Sequence, residues 1–140
     1  MLRHTLQNKE VISLDEELKC VHAYCEMMQI RYGENLNFEF KIDAKYNNYS
    51  VLPLSLQSLI ENSVKHNVIS SKQPLVVTVA TGDDSVSVSN PIQLKTKPEE
   101  SNGIGLVNLS ERYRLKWNKE VEITNDGSTF RVKLSLIKND

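Results

Sequence analysis

The chain opens on a polar lead, Gln7 to Glu10, and then Ser13-Leu-Asp-Glu16 takes the form of a capping box, in which a Ser hydroxyl and a Glu carboxylate satisfy free backbone donors. A helix is predicted to start there. Leu14, Leu18, Val21, Cys25 and Met28 recur at three- and four-residue spacing as one apolar stripe, and Gly33 is a suitable stop. Leu36, Phe38, Phe40 and Ile42 then alternate with polar residues, the period of a half-buried strand. After a polar connection over 43–51, Pro53 is expected in the first turn of a second helix running to about His66. Leu75–Val79 and Val86–Val88 read as a hairpin around Gly82-Asp-Asp84, and Pro91 ends its second strand. Residues 92–102 follow neither period and read as a loop. Gly103-Ile-Gly-Leu106 opens a third helix whose Leu106, Leu109, Tyr113 and Trp117 share a face. Two more alternating strands, around Val121–Ile123 and Phe130–Leu136, flank a turn at 125–128. Strands joined by short turns make a mixed, mostly antiparallel sheet, and three amphipathic helices need a surface to cover, so the expected fold is an α+β two-layer sandwich.

Length and composition narrow this further. With 140 residues the chain fits one core, and a chain near this size buries about 68% of its unfolded surface without needing disulfides or metals. Hydrophobic residues at 39% and charged residues at 25%, with net charge −1, exclude a disordered chain and lack the basic footprint of a nucleic-acid binder. No apolar run approaches the ~20 residues of a membrane span, and the first residues lack the apolar core of a signal peptide, so this segment is expected to be cytoplasmic. Cys20 and Cys25 have neither metal-site nor disulfide-framework spacing and read as buried or half-buried thiols.

Candidate chemistry sits on the second and third helices. Over 53–66, Leu56, Leu59, Ile60, Ser63 and Val64 form the packing arc, while Ser58, Asn62 and Lys65 lie on another, flanked by Glu61 and His66. A polar helix face is by default a solvated one. Asn is a mediocre helix former, however, and its amide oxygen is a competent hard ligand for Mg²⁺ beside phosphate oxygens. Lys65 could meet a phosphate as a point charge. Gly103 and Gly105 at a helix start would let a phosphate approach the backbone, although such a pair more often serves as a flexible cap, and no strand leads directly into it as dinucleotide-binding and P-loop fingerprints require.

The stretch Leu56-Gln-Ser-Leu-Ile-Glu-Asn-Ser-Val-Lys-His66 resembles the N-box of LytS-type sensor histidine kinases, and Gly103-Ile-Gly-Leu-Val-Asn-Leu-Ser-Glu-Arg-Tyr113 resembles their second glycine box. Val11–Leu18 and Gln29–Gly33 are similar to the segment that joins the family's phosphoacceptor region to its ATP-binding domain. The resemblance implies a Bergerat (GHKL) ATPase fold, with residues 1–34 as linker and helix and 35–140 as the ATP-binding catalytic domain. It implies ATP and Mg²⁺ as cofactors, Glu61 and Asn62 as catalytic residues with Asn62 on the metal, and Lys65, His66 and Asn90 as ATP-binding residues. Gly103, Ile104, Gly105 and Leu106 would close on the triphosphate. It further implies transfer of the γ-phosphoryl to a histidine on an upstream segment, a response regulator as the next acceptor, a homodimer in the full-length form and anchoring of that form in the inner membrane.

Three departures bear on these expectations. Asn90-Pro-Ile92 stands where the family places an Asp and a glycine box, so adenine would meet a neutral acceptor, at a cost of about 1 kcal/mol. Ser58 replaces the water-activating carboxylate of gyrase-type relatives, which implies slow hydrolysis. No Pro-His-Phe acceptor motif is present, so the chain is not expected to autophosphorylate alone. Two competing readings follow: a degenerate nucleotide-binding or dimer scaffold domain, and an anti-sigma-factor serine kinase of the same fold. Tyr113 and Trp117 read as core, His22 as a surface residue, and Arg31 and Arg112 as salt-bridge or phosphate partners.

Overall fold

A computed structural model describes residues 10–95 and 104–139. The elements are β1 (Ile12–Ser13), α1 (Leu14–Tyr32), β2 (Leu36–Lys41), β3 (Ser50–Val51), α2 (Ser55–His66), β4 (Leu75–Gly82), β5 (Ser85–Pro91), α3 (Ile104–Trp117), β6 (Glu122–Asn125) and β7 (Thr129–Ser135). Three helices over a mixed sheet make the expected α+β sandwich.

Helix α1 starts where the sequence places it. The Ser13 hydroxyl accepts the Glu16 N–H at 3.1 Å, and Gly33, at φ +58, returns its N–H to the Gln29 carbonyl. The buried stripe is Leu14, Leu18, Val21 and Cys25, joined by the carboxylate of Glu17. The five-stranded sheet runs β2-β4-β5-β7-β6. Only β2 and β4 are parallel, in register from Leu36 opposite Leu75 to Lys41 opposite Ala80, and α2 lies in the crossover between them. The β4–β5 hairpin turns through Asp83 and Asp84, both left-handed at φ 52 and 55, as a two-residue turn matched to strand twist requires. Leu75, Val77 and Val79 on β4, and Val132 and Leu134 on β7, alternate inward to meet the helices, so α1, α2 and the sheet share one core with Tyr113 of α3.

Two expectations need correction. Pro53 is not in the first turn of α2, which begins at Ser55. The Ser55 N–H donates to the Leu52 carbonyl at 3.2 Å, and Leu54 sits at φ 62, ψ 9. This is a type II turn with proline at its second position, so Pro53 fixes the bend that precedes the helix. The connection over 43–51 also contains a short strand: β3 pairs with β1, Ile12 opposite Val51, and stitches the start of α1 to the approach of α2. Of the segment read as a loop, residues 96–102 lie outside the described residues, as does Gly103, while Leu94 forms an isolated bridge to Asn67.

Candidate functional site

Burial along α2 follows its period. Ser55, Leu56, Leu59, Ile60, Ser63 and Val64 face the core, Asn62 and His66 are half-buried at the margin, and Ser58, Glu61 and Lys65 are exposed. The margin opens onto a cavity of about 240 Å³. One side comes from Asn62, Ser63, His66 and Asn67; Asn90, Ile92 and Leu94 enter from the end of β5 and beyond, and Asn125 and Phe130 from the β6–β7 turn. Three apolar side chains with a few amides among them suit a flat heteroaromatic group with polar edges.

The polar groups are held in place by one another. Asn90, buried at 4% exposure, accepts the Ser63 hydroxyl at 2.9 Å through its amide oxygen and donates to the Pro91 carbonyl at 2.8 Å. Among the described residues, one lone pair and one N–H of that amide remain uncommitted. Asn67 donates to the Ser63 carbonyl at 2.8 Å and accepts the Gln93 N–H at 2.8 Å, tying the end of α2 to the chain beyond β5. The side chain of Asn62 has no hydrogen-bond partner among the described residues, so its amide is open to the cavity.

The first turn of α3 meets the same place. Leu106 shares a smaller void of about 20 Å³ with Asn62, Ser63 and Phe130. Gly105 is exposed, and a Cβ there would meet nothing within 4 Å. Ile104 begins the helix backbone. Glu61 and Lys65 line neither void, and the Glu61 carboxylate accepts the Gln57 amide at 3.0 Å one turn back. Among the described residues no cluster of three His, Cys, Asp or Glu could hold a metal. The donor set fits a Mg²⁺ that arrives on phosphate oxygens and takes one amide ligand, and it does not fit a protein-built cage.

Two residues missed in the sequence support this site from behind. Asn67 follows the last helical residue, where a short amide side chain can reach back to the final carbonyls, and that position was its signal. Glu17, fully shielded from solvent, accepts the N–H groups of Leu54 at 2.7 Å, Leu56 at 3.0 Å and Gln57 at 3.1 Å. Burial pushes its carboxyl above the ordinary value, while the three amide donors and the charge of Arg112 pull it back. Its signal was an acid between Leu14 and Leu18 on an otherwise apolar stripe.

Comparison with known proteins gives this geometry a context. Residues 1–36 match the family model described as histidine kinase. The sensor histidine kinase/phosphatase LytS of Staphylococcus aureus strain MRSA252 is 28% identical, covering 87% of this chain and 24% of the relative, and the protein of strain N315 is 27% identical over the same shares. The chain thus spans about a quarter of the length of the curated relatives it matches. Among solved structures, the cytoplasmic segment of histidine kinase QseC superposes with TM-score 0.63 at 19% identity, covering 96% of this chain and 81% of that one. The catalytic domain of histidine kinase ThkA superposes at 0.58 with 16% identity, covering 89% and 93%. The chain is homologous to LytS-type sensor histidine kinases and has the fold of histidine kinase catalytic domains.

Proposed function

We propose that this chain is the ATP-binding catalytic portion of a two-component sensor histidine kinase, which transfers the γ-phosphoryl of ATP to a histidine outside these residues. The observation that carries the reading is the side-chain amide of Asn62, without a partner among the described residues, beside an apolar cavity, with the first turn of α3 meeting it through Leu106. Ile92, Leu94 and Phe130 would sandwich adenine, and the free lone pair of Asn90 would accept its amino group. Asn62 would hold Mg²⁺, and Gly103, Ile104, Gly105 and Leu106 would present a helix start to the phosphates, where free N–H groups and the helix dipole favour negative charge. Lys65 and His66 would approach the phosphates from α2, and Glu61 would order the metal's outer water. Bound Mg²⁺ would neutralise charge developing on the transferring phosphoryl group, while the chain's part is to orient it and exclude water.

Residues 1–34 would then link to the phosphoacceptor region and 35–140 form the nucleotide domain. The other partners would be the acceptor histidine segment, a response regulator and, in the full-length form, a second copy of the chain. Among the described residues no helix is long and apolar enough to cross a membrane. The portion would work in the cytoplasm, with the anchor of the full-length protein lying elsewhere.

Titration of the purified chain with a fluorescent ATP analogue, with and without Mg²⁺, tests this. Saturable, Mg²⁺-dependent binding that is lost in Asn62→Ala is the expected result. The engagement of Asn90 by Ser63 favours a second reading, a nucleotide-poor scaffold, and absence of binding at millimolar analogue would establish it in place of the first.

A further inference from the structure

Leu54 stands at the N-cap of α2 in a left-handed conformation and offers no side-chain cap of its own. Three amides at that helix start, those of Leu54, Leu56 and Gln57, find their acceptors on α1, on the two oxygens of Glu17. The Ser55 N–H and hydroxyl both go to the Leu52 carbonyl and the Ser58 N–H to that of Leu54, so among the described residues no side chain but that of Glu17 accepts from the N–H groups of this helix start. Glu17 itself is fully shielded from solvent. A shielded carboxylate spanning three N–H donors at the start of another helix is a bracket between two elements, and it bears on the axial position of α2 as well as its stability.

Asn62 lies on the same rigid helix, about 9 Å further along its axis. We propose that Glu17 is a positioning residue for the nucleotide site: by bracketing the start of α2 it sets where Asn62, Ser63 and His66 stand against Asn90 and the first turn of α3. This rests on the nucleotide reading above and assigns it a residue outside the cavity. Such a bracket also makes α1 a mechanical neighbour of the site, so a shift of α1 would be felt at Asn62.

Glutamine is the discriminating substitution. It keeps the size of the side chain but replaces one acceptor oxygen with an amino group that donates, and that group would face N–H donors. In the ¹⁵N-labelled chain, Glu17→Gln is expected to speed amide exchange at Leu56 and Gln57 and to displace the side-chain amide resonances of Asn62 and Asn90. It should also weaken the Mg²⁺-dependent ATP analogue by about tenfold, the order expected when positioning groups slip by a fraction of an ångström. Leu134→Val, at the far end of β7 from Phe130, should lower stability and leave those resonances and the affinity in place. Faster exchange at Leu56 and Gln57 with unmoved Asn62 and Asn90 signals would overturn the proposal and leave Glu17 a local cap. If the unsubstituted chain binds no nucleotide, the kinase reading falls while the resonance shifts still decide the bracket. If Glu17→Gln does not fold, Glu17→Asp, which keeps the charge but draws it back by one methylene, carries the same readouts with a smaller displacement expected.

Discussion

Gly105 separates two reasons for a glycine that are usually entangled. It is the second residue of α3, it is exposed, its φ is not left-handed, and a methyl group there would meet nothing within 4 Å. Nothing within the described residues calls for glycine at this position. Glycine in a helix is less favourable than alanine by about 0.8–1.0 kcal/mol, and somewhat less of this is felt in the first turn. In a domain of this size a kcal/mol moves the melting temperature by roughly 3–4 °C, so Gly105→Ala should melt about 2–3 °C higher. The same methyl would stand where phosphate oxygens are proposed to approach the backbone. A displacement of that kind can cost up to about a hundredfold in a positioned reaction, and a loss of at least about tenfold in Mg²⁺-dependent ATP analogue affinity is expected. Differential scanning fluorimetry and analogue titration on the same preparation read both quantities. Raised stability with unchanged affinity would show that the opening at Gly105 is not used by a ligand. Lowered stability would show that the fold itself needs the glycine.

Asn67→Ala leaves the Gln93 N–H and the Ser63 carbonyl without their partners, which should lower stability by about 2–3 kcal/mol. Urea unfolding would read this, and a loss under about 0.5 kcal/mol would refute the role, being no more than an ordinary surface change. Burial pushes the Cys25 thiol up to about 12 and raises that of Cys20. At pH 8 only about one Cys25 in ten thousand would be thiolate, so Ellman's reagent should label Cys20 first and Cys25 only as the fold opens. Burst labelling of Cys25 would contradict its placement. The raised carboxyl of Glu17 binds its proton more tightly in the folded state than at its ordinary value of 4.5. Its contribution is therefore full below about pH 4.5 and is lost as pH rises through the folded value. Asp126 and Glu10, held low by the Ser128–Thr129 amides and by Lys116, act in the opposite sense and cancel when Glu17→Gln is subtracted from the unsubstituted chain. The stability difference between the two should fall from about pH 4 to pH 7, and a rise would refute the direction.

Much of the architecture was legible because local rules and tertiary packing agree here. The Ser13 cap, the Gly33 stop, the alternation of β4 and the α3 face of Leu109 and Tyr113 each follow from period and turn chemistry alone. The rest depended on partners distant in sequence. The β1–β3 pair is too short to show a period, and it exists because two chain segments meet at Ile12 and Val51. Asn62 stood out because asparagine is a mediocre helix former in mid-helix, whereas a role for His66 came only from the motif resemblance. Glu17 could not, since a single acid on an apolar stripe says that a partner is needed without naming one 37 residues away. Likewise, Asn90 could be placed at the end of β5, but its commitment to Ser63 required the packing of α2 on that strand.

The lone parallel pairing of the sheet has a kinetic consequence. Leu36 cannot find Leu75 until the whole intervening segment has closed into a loop, and that segment contains α2. Non-local pairings of this kind form late and slowly compared with hairpins, because chain closure must precede any reward from contact. The β4–β5 and β6–β7 ribbons can zip early, whereas Asn62 reaches its station only when the crossover completes. During synthesis or refolding, competence to take up a ligand should therefore lag behind collapse of the ribbons.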